Sequence, residues 1–320
     1  MRILIGYDGS ESADAALADL RKAGLPRDVK ALVVSIGEVL LPPAEIGSDM
    51  VQPPLTSRIV THALGQAAVR AQQSIRETQE FAEEAADRVR SYFPHWDVQA
   101  EGVAGAPASE LVNKADEFKA DLVVVGSRGR STLGRFILGS VSKKVVTDSC
   151  HSVRVARGSL KKNNDSPPKI LIGVDGSSEA EKAVREVGMR VWPKGTEVRI
   201  VAVDNGTSPA RISRVLPMAA EMIKNSNDTA LAASRAMIEW AERELRAIGL
   251  QVSVVIKKGD PQRVLIEEAR AWDADSIFVG SRKCDGTFER FWLGSVSTAL
   301  VTKAHCSVEV VRSAENGSLG

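Results

Sequence analysis

The chain is poor in cysteine, and the few it has stand in no working arrangement. Cys150, Cys284 and Cys306 are an odd number at unrelated spacings. That argues against a disulfide framework and fits a reducing compartment, so a cytoplasmic location is expected. His62, His95, His151 and His305 form no H-E-x-x-H spacing, and there is no C-x-x-C, so no metal site is expected. Cys150-His151 and His305-Cys306 each adjoin an apolar strand, where neighbouring side chains point to opposite faces. A shared metal or catalytic pair is therefore not expected there, and each cysteine reads as buried and structural. No apolar run reaches bilayer length. Met1-Arg2 leads directly into Ile3-Leu4-Ile5, which reads as a strand and not as a signal peptide. Neither sign of charge dominates: 42 basic and 41 acidic residues leave a net charge of +1. With no basic field, neither a nucleic-acid nor a membrane partner is expected. Also missing are a G-x-S-x-G elbow, a nucleophile–base constellation, a Walker loop and the fingerprint G-x-G-x-x-G. No catalytic residue is assigned.

What is present is the composition of a folded chain, 43% hydrophobic and 26% charged, over 320 residues. That length predicts two domains, each large enough to bury a core. The chain also repeats itself. ILIGYDGSESADAAL from Ile3 recurs as ILIGVDGSSEAEKAV from Ile170, placing Asp8 against Asp175 at an offset of 167. FILGSVSKKVVTDSCHSVRVAR from Phe136 recurs as FWLGSVSTALVTKAHCSVEVVR from Phe291, at an offset of 155. The matches keep their order, so the chain is a duplicated domain. The expected units are residues 1–158, a polar, proline-ended linker at 159–168, a second unit at 169–313 and a tail at 314–320.

Each copy alternates strands and helices. Copy one has apolar strands at 3–6, 31–36, 98–103, 122–125 and 153–156. Ser10 is placed to cap a first helix carrying Ala13, Ala16, Leu17 and Leu20. Phe81, Ala85, Val89 and Tyr92 mark a long helix, and Met237, Ala241, Leu245 and Ile248 mark its counterpart. The alternation and the near-continuous apolar strands imply α/β architecture, two tandem doubly wound domains with parallel sheets and helices on both faces. Trp192, Trp240 and Trp292 lack basic clustering around them and are expected in core or interface positions. Leu41–Leu55, with four prolines, reads either as a flap or as a surface excursion.

The segment with chemistry in it is Gly126-Ser-Arg-Gly129, nine residues, then Gly139-Ser140-Val141-Ser142. It joins a buried strand to a helix. Glycine lets backbone approach a ligand and tolerates positive φ. A helix start offers unpaired N–H groups and the positive end of its dipole. Ser140 and Ser142 add hydroxyl donors. Asp8 lies past the first strand, at the carboxyl edge where doubly wound sheets bind ligands. Its carboxylate suits ribose hydroxyls better than phosphate, although an Asx-turn at the head of the first helix is a rival role. Arg128 reads either as a phosphate contact or as a solvated charge.

In these motifs the chain resembles the universal stress protein family, in its ATP-binding branch and as a tandem pair. Gly126, Gly129, Gly139 and Ser140 match that family's G-x2-G-x9-G-[ST] signature. The resemblance implies a five-stranded parallel sheet of order 3-2-1-4-5 in each half. It implies adenine near Asp8 and the backbone of Ile36, and ribose near Asp8 and Gly126. Phosphates are implied at Arg128, Gly129, Gly139, Ser140, Val141 and Ser142, with Mg2+ held by the phosphates. The cofactor is ATP or another adenine nucleotide. The last strands commonly mediate pairing in the family, which implies an intramolecular pseudo-dimer and leaves a homodimer open.

Copy two keeps Asp175, Gly280, Arg282, Gly294, Ser295 and Ser297, with Val203 and Val296 at the positions of Ile36 and Val141. It carries Lys283 in place of the second glycine and one more residue before Gly294. Two readings stand: an altered but competent site, or a degenerate half that supports copy one. For the whole chain the expectation is a nucleotide-binding protein with a regulatory or stress-response role, and hydrolysis at most slow, because no water-activating base is evident. The alternatives are a nucleotide-free interaction module and a slow ATPase or adenylating enzyme.

Overall fold

The computed structural model describes residues 1–37, 75–129, 138–157, 166–204, 217–281 and 293–312, with backbone alone for 217–231. Copy one runs β1 (Arg2–Gly6), α1 (Glu11–Asp19), β2 (Lys30–Gly37), α2 (75–92), β3 (Asp97–Ala104), α3 (Pro107–Phe118), β4 (Leu122–Gly126), α4 (Ser140–Asp148) and β5 (Ser152–Ala156). Copy two runs β6 (Lys169–Val174), α5 (Ser178–Met189), β7 (Glu197–Asp204), α6 (Pro217–Ala247), β8 (Gln251–Lys258), α7 (Pro261–Ala271), β9 (Ser276–Gly280), α8 (Ser295–Lys303) and β10 (Ser307–Val311).

Local chemistry sets the ends of these elements. The Ser10 hydroxyl accepts from Ala13 N–H at the head of α1, and Ser177 and Asp260 do the same for α5 and α7. Pro107 and Pro261 begin α3 and α7, where a missing N–H costs nothing. In α2, Ala82, Ala85, Ala86 and Val89 are buried, but Tyr92 is exposed beneath the Arg21 guanidinium, 5.6 Å from its ring centre. The expected apolar face thus ends at Val89. Ile248 likewise lies beyond the end of α6 and is exposed.

One ten-stranded sheet carries both halves, in the order β3-β2-β1-β4-β5-β10-β9-β6-β7-β8. Each half has the 3-2-1-4-5 order with parallel pairs, and β5 meets β10 antiparallel. The pairing of the two copies along their last strands is therefore direct. The period-two alternation of strands gives this seam two unlike faces. Val153, Val155, Val308 and Val310 join one apolar core that is continuous across both copies. The other face separates two cores and holds a buried ionic cluster. There Arg154 donates from Nε to Asp19 at 2.7 Å and from Nη1 to Glu309 at 3.2 Å. Arg190 also donates to Glu309, and Ser307 Oγ donates to Asp19 at 2.7 Å. Burial opposes the Arg154 charge, yet Asp19 and Glu309 more than offset it and hold the guanidinium above its ordinary pKa.

Trp192 belongs to the interface, as expected. Its ring lies against Gly24, where φ is +63° and an added Cβ would come within 2.5 Å of the indole. Trp240 sits beneath the Arg185 guanidinium at 5.0 Å. Cys306 is buried, but Cys150 is exposed, contrary to its expected burial. It stands in the turn before β5, outside the strand's alternation. Trp292, Cys284, the Leu41–Leu55 segment, residues 159–165 of the expected linker and the whole expected tail lie outside the described residues.

Candidate functional site

β1 and β4 are neighbours at the centre of copy one, paired Ile3 to Leu122 and Ile5 to Val124. Their carboxyl ends deliver Asp8 and Gly126 to the same crevice, beside the point where the strand order reverses. A cavity of ≈ 380 Å³ occurs at the matching place in copy two, and one of ≈ 490 Å³ lies here. All nine copy-one residues singled out by sequence line the larger cavity: Asp8, Ile36, Gly126, Arg128, Gly129, Gly139, Ser140, Val141 and Ser142. Volumes of this size suit a small organic ligand.

The geometry assigns several of these residues different reasons from those expected. Gly129 is not in the left-handed region. A Cβ there would stand 3.1 Å from Asp8 Oδ2, so a larger residue would crowd the carboxylate. Gly126 is required by packing, since its Cβ would lie 2.8 Å from the Ser12 carbonyl oxygen on α1. Gly139 is the N-cap of α4, with φ −62° and ψ 152°, a conformation open to any residue. The Ser142 hydroxyl, expected to donate to phosphate, donates instead to Gly126 O at 2.6 Å and is buried. Ser142 has only its backbone N–H to offer, whereas the exposed Ser140 can offer both groups. Asp8 does form the rival turn: Oδ1 accepts from Ser10 N–H at 3.0 Å. The turn leaves Oδ2 on the Gly129 side. The two readings of Asp8 are compatible.

The glycine turn is fastened from below. Ser12 Oγ accepts from Arg128 N–H at 3.1 Å and lies 3.4 Å from Ser127 Oγ. Sequence reasoning passed over Ser12, and it also missed a wall of the cavity. Tyr7, Glu77, Thr78, Phe81, Pro107 and Leu111 line it as well. Burial and the neighbouring Asp14 push the Tyr7 phenol up to about 12. Glu77, Thr78 and Phe81 come from α2, which lies so close to β3 that a Cβ on Gly102 would fall 2.4 Å from Gln79 N. The Gln79 side chain accepts from Gly102 N–H at 2.7 Å. Gly102 within a strand was the available signal for that close approach.

In copy two, Asp175, Val203, Gly280, Val296 and Ser297 line the smaller cavity, but Gly294 and Ser295 do not. Arg282 and Lys283 lie outside the described residues. Asp175 repeats the turn of Asp8, accepting from Ser177 N–H at 3.0 Å. The fastening is not repeated: at the offset of 167, Glu179 stands where copy one has Ser12. Ser281 Oγ, the counterpart of Ser127 Oγ, is buried with no hydrogen-bond partner among the described residues. No group of three or more His, Cys, Asp or Glu side chains suited to a metal occurs among the described residues. No helix among them is long and apolar enough to cross a membrane.

Comparison with known proteins agrees with this architecture. A universal stress protein of Mycobacterium tuberculosis is 27% identical over 315 residues, covering 97% of this chain and 96% of the relative. One from Mycolicibacterium smegmatis is 32% identical over 193 residues, 60% of this chain and 62% of that one. The crystal structure of a universal stress protein from Archaeoglobus fulgidus matches 97% of this chain and 98% of its own, with a TM-score of 0.60 at 21% identity, a likeness of fold. The model of the Universal stress protein family matches twice, at residues 1–157 and 168–312, and the chain belongs to that family.

Proposed function

We propose that copy one binds an adenine nucleotide, ATP foremost, and that the chain serves as a nucleotide-responsive regulatory protein in the response to stress. The observation that carries this reading is the convergence of nine motif residues, distant in sequence, on one cavity of ≈ 490 Å³. Asp8 Oδ2 faces the sugar, whose hydroxyls donate to it. The phosphates lie toward Gly139 and the first turn of α4, where the N–H groups of Ser140, Val141 and Ser142 have no intrahelical acceptor. Arg128 adds positive charge, and Mg2+ is held by the phosphates. Adenine lies toward Ile36 and Phe81, against apolar surface. The chain's residues bind and orient the nucleotide, and none is assigned to activate water, so hydrolysis is slow at most.

Copy two is read as the degenerate half. That reading is favoured by the unpartnered Ser281 Oγ, the loss of the Ser12 hydroxyl, and a cavity that omits Gly294 and Ser295.

The test is calorimetric titration of ATP, ADP and AMP, with and without Mg2+, into wild type, Gly129→Lys and Gly139→Val. At Gly139 an added Cβ would stand 3.4 Å from Arg128 Cα, ordinary contact distance. The valine methyls extend from that Cβ toward the backbone amides at the cavity mouth or toward solvent according to rotamer, and far-UV circular dichroism checks that the variant is folded. Both variants are expected to lose at least ten-fold in affinity, about 1.4 kcal/mol. Equal affinity in all three proteins would remove the assignment.

A further inference from the structure

The repeated segment that ends in Arg157 in copy one and Arg312 in copy two contributes no residue to the cavities after its serine-rich start. Its last residue nonetheless does the same thing in both copies, and does it to the other copy. Arg312, one residue past β10, donates from Nη2 to Val146 O at 2.5 Å and from Nη1 to Ser149 O at 2.5 Å. These carbonyls close the C-terminal end of α4. Arg157, one residue past β5, donates from Nη2 to Val301 O at 2.5 Å and to Thr302 O at 3.2 Å. Those carbonyls close the C-terminal end of α8. Val146 and Val301 are equivalent at the offset of 155.

The backbones repeat the exchange. Arg312 N–H donates to Ser152 Oγ at 3.0 Å, and Arg157 N–H donates to Ser307 Oγ at 2.9 Å. Ser152 and Ser307 are again equivalent. The seam therefore carries a two-fold set of contacts, in which each copy holds the tail end of the helix that follows the glycine motif in the other copy, α4 or α8, here called the cradle helix. A helix leaves its last carbonyls without intrahelical donors, and its C-terminus is the negative end of the dipole. A guanidinium supplies donors and positive charge together, in a planar fork that lysine cannot reproduce.

We infer that Arg157 and Arg312 are reciprocal positioning residues that tie the cradle helix of each copy to the last strand of the other, so that site one is set in part by copy two. The inference rests on the reading of α4 as the phosphate helix. α4 is about 13 Å long at 1.5 Å per residue, short enough that freeing its tail shifts its head. A binding group displaced by a fraction of an ångström loses affinity without being touched. Arg157 also stands beside the glycine turn of its own copy, because the residue before it, Ala156, pairs with Gly126. Each arginine thus joins the turn edge of one site to the helix tail of the other.

The test uses the full chain as wild type, Arg312→Gln, Arg312→Lys and Arg157→Gln. Amide hydrogen exchange is followed in α4 and α8, and Mg-ATP is titrated at the site that Gly139→Val removes. The expected exchange pattern is crossed: Arg312→Gln accelerates α4 and spares α8, and Arg157→Gln does the reverse. Arg312→Gln weakens ATP roughly five-fold, the low end of coupling between sites. Arg312→Lys, which keeps the charge and loses the fork, falls between, and it carries the test should Arg312→Gln not fold. Acceleration in both helices alike or in neither would overturn the inference. So would wild-type ATP affinity in Arg312→Gln, or in Arg312→Lys where that variant carries the test, when the wild type itself binds. A wild type that takes up no ATP at millimolar ligand would instead sink the nucleotide reading, and this linkage with it.

Discussion

Replacing Glu309 by methionine tests what holds the two copies together. Glu309 is fully buried, and each of its oxygens accepts from a different guanidinium, Arg154 at 3.2 Å and Arg190. Charges about 4 Å apart interact by about 4 kcal/mol at an effective dielectric of 20, so two such pairs amount to about 8 kcal/mol. Desolvating the carboxylate costs several kcal/mol, which the variant recovers. Arg154 keeps Asp19, and Arg190 keeps Glu186 at 2.9 Å, so neither guanidinium is left alone. The net expectation is a loss of about 2–3 kcal/mol, below the roughly 3–5 kcal/mol found where removal leaves a buried charge uncompensated. Equilibrium urea unfolding of Glu309→Met, Arg154→Met and the double variant measures it. The double should cost less than the sum of the singles, with a coupling of about 1.5–3 kcal/mol. A loss under about 1 kcal/mol for Glu309→Met, or strict additivity, would refute the reasoning. It would mean that the apolar face of the seam suffices.

Three further outcomes follow from the same geometry. Gly24→Ala is expected to lower stability by about 1–3 kcal/mol, because φ is +63° and the Cβ meets the Trp192 ring; thermal melts followed by tryptophan fluorescence would read it. Gly280→Ala should cost more than about 2 kcal/mol, as its Cβ would fall 2.0 Å from Glu179 O, whereas Gly294→Ala, with nothing within 4 Å among the described residues, should stay within about 0.5 kcal/mol; paired urea curves separate them. Burial pushes the Cys306 thiol up to about 12, so at pH 8 roughly one molecule in 10⁴ carries its thiolate, and alkylation mapped by mass spectrometry should mark exposed Cys150 and spare Cys306. The sign for stability follows: the folded chain holds this proton more tightly, so raising pH from about 9 to about 12 costs stability.

Much of this was legible because the physics was local or repeated. β4 is apolar throughout, and only a strand covered on both faces reads that way. The 3-2-1-4-5 strand order that the family resemblance implies places Asp8 and Gly126 at one edge. The reasons for the glycines were less legible, because a motif reports that glycine is needed and not why. At Gly129 the tight neighbour is Asp8 Oδ2, a contact between residues more than a hundred positions apart. Ser12 was missed for a similar reason, since nothing in the first helix announces a hydroxyl that fastens a distant turn. Glu77, Thr78 and Phe81 reach the cavity only through the approach of α2 to β3, which a helical pattern does not encode. Cys150 was misplaced by assigning the strand's alternation to the turn before it.

The divergence of the two copies at one seam position bears on why the chain is a tandem. Ser152 and Ser307 remain alike, as do Arg157 and Arg312, yet Arg154 faces Glu309 directly across the antiparallel pair. A seam made from two copies of β5 would oppose arginine to arginine, and one made from two copies of β10 would oppose glutamate to glutamate. Like charges directly opposite are destabilising on a strand pair, and more so when buried. The exchange of charge at this position therefore gives copy one against copy two an ion pair, Arg154 with Glu309, that neither copy could make against itself. Glu309→Arg tests the argument, since it restores like charge while Arg154 keeps Asp19 as its remaining carboxylate among the described residues. The expected result is an opened seam, seen as a larger radius of gyration by small-angle scattering and faster amide exchange in β5 and β10. A Glu309→Arg chain as compact and as protected as the wild type would show that charge at this position does not choose the partner.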